Sequence, residues 1–219
     1  MTQETAAGKP ARKQQQRSIV TQHKLLDAAI EAFSENGFKG TSTRDIAERA
    51  GVHHPLITYH FKNKDKLWRA AADKVFRDFR RSLAASLEDH KSEGPKQRFA
   101  SLVRAYVHYA KSQPALHKVM VQEASYPNPR LDWLIEEHLK PFFDATFALL
   151  VELQEIGVAP SGDPKLLFTM IRLSSGGLLA LGNELKASSG IDIDKEETLD
   201  EIADMIMKVF LPGEPRQEA

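Results

Sequence analysis

The sequence predicts an all-α chain of nine helices, a small three-helix head followed by a larger helical body. Three observations carry this. Apolar residues recur at three- and four-residue spacing from Ser18 to Phe210, and no segment alternates with period two. The breaks fall at glycines, prolines and an Asn-Gly pair, which suit helix ends. At 219 residues the chain can bury a sizeable core, and it holds no cysteine. That removes a disulfide framework, a zinc finger and any cysteine nucleophile.

Met1 to Arg17 is polar, contains Gly8 and Pro10, and is predicted to be a disordered basic arm. Its Lys9, Arg12, Lys13 and Arg17 suit DNA phosphates or a minor groove, or simply a solubilising tail. From Ser18, Ile19, Leu26, Ala29, Ile30 and Phe33 form one helical face that stops at Asn36-Gly37. Ser42 or Thr43 can cap a second helix, whose Ile46, Ala47 and Ala50 point inward until Gly51 ends it. Pro55 suits the first turn of a third helix, where its missing N–H costs nothing. Asn63 can cap a long fourth helix, from about Lys64 towards His90, with Leu67, Val75, Phe79 and Leu83 on its buried side. Five more are predicted near 95–112, 114–125, 129–156, 163–187 and 195–211. The domains expected are the arm (1–17), a small head (18–63), and a larger body (64–219) that starts with a linking helix, 64–90.

Net charge is zero, but unevenly placed. Residues 1–70 carry 12 Lys and Arg against 7 Asp and Glu, a net +5, and residues 71–219 carry 18 against 23, a net −5. A basic head on an acidic body suits DNA on one side only. No apolar run approaches the roughly 18 residues that span a bilayer. The polar N-terminus lacks the apolar centre of a signal peptide, so a soluble, unexported cytoplasmic protein is expected, in contact with the nucleoid.

Thr41 to Leu67 carries the chemistry. A helix-turn-helix needs a small residue where its helices cross, here Ala47. It needs a turn residue tolerant of positive φ, here Gly51, and an apolar plug after it, here Val52. The third helix then needs one buried side, from Ile57 and Phe61. Its polar side would come from His53, His54, Thr58, Tyr59 and His60. Three histidines invite a metal reading, but His53 and His54 are adjacent and His60 is six residues on, so no pair shares a face. No metal or cofactor is expected.

This head resembles the tetracycline-repressor (TetR) family of bacterial transcriptional regulators. The matching residues are Phe33, Gly37, Thr41-Ser42-Thr43, Ile46-Ala47, Ala50-Gly51-Val52, Tyr59-His60-Phe61, Lys64 and Leu67, in order across about 50 residues. The resemblance implies that Thr43 and Arg44 touch phosphates or a groove edge. It implies that His53, His54, Pro55, Leu56, Thr58, Tyr59 and His60 lie on the recognition helix or its flanks, and that Lys64 grips the backbone. His53 stands where Ser or Thr is usual, Pro55 where Gly is frequent, and Thr58 where Tyr is usual. The mode of binding carries over; the operator sequence does not.

By the same resemblance, the last two helices form a four-helix dimer interface, with Leu167, Ile171, Ser174, Leu178, Ile202, Met205, Ile206 and Val209 as its residues. The small Ser174, Ser175, Gly176, Gly177 and Gly182 would permit close approach. Helices five to eight would enclose an effector pocket, with Tyr106, Met120, Glu123, Trp133, His138, Phe142, Phe143 and Arg172 as candidates. Arg172 interrupts the apolar run LLFTMIRLSSGGLLAL and needs a partner: Glu123, Glu184 or an anionic ligand. Acid/base pairs such as Glu123 and His138 lack catalytic spacing, so no enzyme is expected. The implied function is a DNA-binding regulator, a repressor that binds a palindromic operator as a dimer and is released by a small molecule. The rivals are an activator, a non-specific nucleoid protein, and a helical ligand-binding protein or small enzyme with a merely structural head.

Overall fold

A computed structural model describes residues 8–214, and within them there are nine helical runs and no strand. They are α1 (Gly8–Gly40), α2 (Thr43–Arg49), α3 (Pro55–Phe61), α4 (Lys64–Asp89), α5 (Pro95–Ser112), α6 (Ala115–Ala124), α7 (129–155), α8 (Pro164–Ser189) and α9 (Glu196–Phe210). Every predicted break but one falls at or between the ends of these runs; the stop expected at Asn36-Gly37 is a bend within α1.

Two details differ from the sequence reading. Gly8 to Arg17 continues α1 as helix instead of forming a disordered arm, because Ala11 to Arg17 are all residues of high helix propensity with no competing turn former. Residues 1–7 of that arm lie outside the described residues. Helices α7 and α8 are also not uniform. Each contains one wide π turn, Ile135–Leu139 in α7 and Leu173–Gly177 in α8, and α8 then tightens to a 3₁₀ turn over Leu178–Leu181. Periodicity of apolar residues is blind to a single inserted residue of this kind.

The chain forms two compact units that divide between Lys74 and Val75, inside α4. The head therefore includes the first eleven residues of α4, where the expected boundary had placed only residues up to 63. Leu67, Trp68, Ala71 and Ala72 are buried, and the Trp68 ring meets Phe38 edge-on at 6.5 Å. Phe38 in turn stacks on Phe33 at 6.0 Å. Gly37 has φ 68°, so α1 bends there before a last turn to Gly40. The buried Thr41 hydroxyl closes this bend by donating to the carbonyls of Ala32 and Gly37, at 3.0 and 2.8 Å.

In the body, the core joins Val75, Phe79 and Leu83 of α4 to Phe99, Leu102, Val103, Tyr106 and Val107 of α5, and to Leu149, Leu150 and Leu153 of α7. Helix α5 packs on α9 and on the π turn of α8. Outside, Arg104 clasps Asp200 and Asp204 at 2.5 and 2.8 Å, and His108 adds a third contact to Asp200 at 3.1 Å. By length and composition, α8 is long and apolar enough to cross a bilayer, which the sequence reading had not found. Arg172 in its middle and its packing on α5 suit a core helix instead.

Candidate functional site

The head's geometry is built from its turn. Ser42 caps α2 by accepting from the Asp45 N–H at 3.0 Å. The helix closes through Ala50, and Gly51 adopts φ 63°, the left-handed region that glycine enters without strain. The Val52 N–H then donates back to the Ala47 carbonyl at 3.0 Å, which fixes the angle at which α3 leaves. Ile46, Ala47, Ile57 and Phe61 are buried together beneath that angle.

Burying Ile57 and Phe61 turns the opposite face of α3 outward. His53, His54, Pro55, Thr58 and Tyr59 are exposed, Tyr59 by 75%, while Leu56 and His60 are half-buried. Arg44 is exposed and Thr43 half-buried, with its hydroxyl 3.0 Å from His54 Nε2. The Tyr59 and His60 rings meet edge to face at 5.0 Å. Lys62, at φ 66°, ends α3 in a left-handed turn without a glycine, a feature no sequence signal gave. Asn63 then caps α4 by accepting from Lys66 N–H at 2.9 Å. The Lys64 ammonium lies 4.5 Å from the Phe38 ring centre, a cation–π contact that holds it at the N-terminus of α4.

The sequence model of the tetR family of bacterial regulatory proteins matches residues 25–71, from the middle of α1 into α4. The chain carries a TetR-family head. It is a helix-turn-helix transcriptional regulator. The transcriptional regulator RutR of Escherichia coli K12 is 24% identical over 86% of this chain and 88% of its own length. The transcriptional repressor KstR2 of Rhodococcus jostii is 35% identical over 29% of this chain and 33% of its own. Among solved structures, the transcriptional regulator FadR of Bacillus subtilis, in complex with stearoyl-CoA, shares the fold at 20% identity. Its TM-score is 0.65, covering 86% of this chain and 97% of that one.

In the body, the candidate effector residues part into two groups. Tyr106, Phe142 and Arg172 line one small internal cavity with Phe99, Phe168 and Ser175, holding about 30 Å³. The others lie elsewhere. Glu123, 4% exposed, is gripped by Arg130, whose Nε lies 3.1 Å from both carboxylate oxygens and Nη2 3.0 Å from one. Buried His138 stacks on Phe76 at 4.7 Å, takes Trp133 edge-on at 5.0 Å, and meets Arg80 Nη1 at 2.8 Å through Nδ1. Met120 is half-buried on α6, and Phe143 stacks on Phe147 at 4.5 Å. None of these five lines that cavity.

Sequence reasoning missed His117. Its Nε2 lies 3.0 Å from the Tyr106 hydroxyl, while its buried Nδ1 has no hydrogen-bond partner among the described residues. Burial lowers its pKa to about 4, helped by the charge of Arg172, so the ring is neutral. Burial likewise pushes Tyr106 up to about 12, opposed by Arg172.

The predicted dimer residues also part. Met205 and Val209 are each 59% exposed, and Leu167, Ser174, Leu178 and Ile202 are half-buried. Ile171 instead faces the internal cavity, and Ile206 is buried. On α8 the outward apolar residues are Leu166, Met170, Leu173 and Leu181, spaced by four, three and eight. Ser175 and Gly176, read as helix-approach residues for a partner, face their own body. A Cβ on Gly176 would overlap the imidazole of His117, and one on Gly182 would meet Ile193. A groove of about 690 Å³ runs between α8 and α9, walled by Ser174, Leu178, Ile202, Met205 and Val209.

Proposed function

We propose that this chain represses transcription in a bacterial cytoplasm by binding an inverted-repeat operator as a symmetric dimer, and that a small molecule in its body releases it. It carries out no catalysis. The observation that carries the reading is the turn around Gly51: one hydrogen bond, Val52 to Ala47, commits Ile57 and Phe61 to the core and leaves His53, His54, Thr58 and Tyr59 in solvent on one short helix. That is the arrangement needed to lay side chains on base edges.

In this reading Thr43, Arg44, Tyr59 and Lys64 position the head on phosphates, and the α3 face specifies sequence. One head is too small for a specific site, so two half-sites are read by two copies. The exposed apolar strip of α8, with Met205 and Val209 of α9, is the surface that pairing would cover. Release follows as a population shift. An effector that prefers a second body conformation acts on α4, which continues into the head, and a coupling of about 1–3 kcal/mol loosens DNA binding roughly 5- to 150-fold.

The test is a comparison of affinities for DNA upstream of the chain's own gene and for random duplex at one salt concentration. The reading expects the upstream fragment to bind at least about 1,000-fold more tightly and to contain a protected inverted repeat. Equal affinity for both fragments would make the chain a non-specific binder.

A further inference from the structure

Arg172 is the one charged side chain on the wall of the internal cavity, and the carboxylates that could neutralise it are engaged or remote. Glu123 is held by Arg130, and Glu184 is exposed to solvent on a later turn of α8. Among the described residues no ion pair joins Arg172 to an acid. The rest of the wall is apolar or aromatic, apart from the Tyr106 hydroxyl, Thr146 and Ser175. The Ser175 hydroxyl is spent on the Ile171 carbonyl at 2.8 Å, and Thr146 is spent likewise on Phe142 at 2.9 Å. The cavity therefore offers one fixed cation and one phenol at the edge of an aromatic chamber.

We propose that this cavity receives a small monocarboxylate with an apolar body, its oxygens taken by the Arg172 guanidinium and the Tyr106 hydroxyl and its hydrocarbon lying among Phe99, Phe142 and Phe168. The planar guanidinium fork matches a carboxylate and needs no other anion. Neutral His117 fits this role. In the tautomer protonated on Nε2 it donates to the Tyr106 oxygen, 3.0 Å away, which frees the phenolic proton for the incoming anion. A cationic imidazole there would instead compete for it.

The proposal rests on the body being the effector domain, and it supplies a reason for the coupling. About 30 Å³ holds a water or two. An acid of ten or more carbons enters only when the rings of Phe142 and Phe168, 6.1 Å apart, move aside. The ligand thus binds an opened body and not the closed one, which is the differential affinity that a population shift requires.

The experiment is a calorimetric titration of the full chain with 2-naphthoate and decanoate, each beside its neutral amide, on the wild type, Arg172→Gln and Arg172→Lys. At least one acid is expected to bind the wild type tenfold or more tightly than its amide. Arg172→Gln is expected to weaken that acid roughly 10- to 100-fold while leaving the amide unchanged. Arg172→Lys, which keeps the charge but not the fork, falls between. The proposal is overturned if neither acid outbinds its amide, or if a folded Arg172→Gln, checked by thermal melting, binds the acid as well as the wild type does. The titration contains no DNA, so its failure leaves the regulator reading standing. Failure of upstream-DNA recognition, in turn, leaves an Arg172-dependent acid site standing.

Discussion

Arg130 and Glu123 form an enclosed ion pair in the body, and a pair of this kind is costly to halve. Arg130→Ala leaves a carboxylate buried without its cation, so chemical denaturation should show a loss of about 3–5 kcal/mol. His117 makes a second prediction, in pH. Its folded pKa of about 4 lies below the ordinary 6.5, so between these values the unfolded chain binds the extra proton. The stability it contributes is complete above pH 6.5 and is lost as pH falls towards 4, amounting to about 2 kcal/mol at pH 5. Denaturation of wild type and His117→Gln at pH 5 and pH 7 checks this. The variant should lose less on acidification, and an equal loss would remove His117 as the sensor. At this scale the head was more legible than the body. Ala47, Gly51 and Val52 answer local demands of a turn, whereas the partners of Arg172, Glu123 and His117 are chosen by packing between helices, which spacing along one helix does not encode.

At the scale of elements, the π turn of α8 decides where small residues are required. A side chain on Gly176 collides with His117 and Tyr106, while one on Gly177 meets only Leu173, at 3.6 Å. Gly176→Ala should therefore cost about 1–3 kcal/mol by overpacking. Gly177→Ala should stay within about 0.5 kcal/mol, since helix propensity favours it. Melting curves of the two variants distinguish them, and equal losses would mean that the turn is not where it is described. The residues predicted for the dimer face likewise do not share one exposed face of α8 and α9. An apolar helix gives two candidate stripes at ordinary helical spacing, and here Ile171 and Ser175 face the body while Leu166, Met170 and Leu173 face outward. Helix count and breaks were readable because glycine and proline punctuate the chain regardless of tertiary context.

For the whole molecule, the apolar strip on α8 and α9 predicts a dimer that a charge would break. Val209→Glu should shift the sedimenting species from dimer to monomer and weaken operator binding far more than any single head substitution, because two half-sites are then read separately. The central claim, that the head around Gly51 grips DNA through phosphates, is tested most directly by operator affinity measured against salt concentration for wild type, Lys64→Ala and Arg44→Ala. The account predicts a steep fall of affinity with salt for the wild type. It predicts a slope in log–log form shallower by about 1.8 for Lys64→Ala, about 0.9 for each of two protomers. Affinity and slope unchanged in both variants would contradict it.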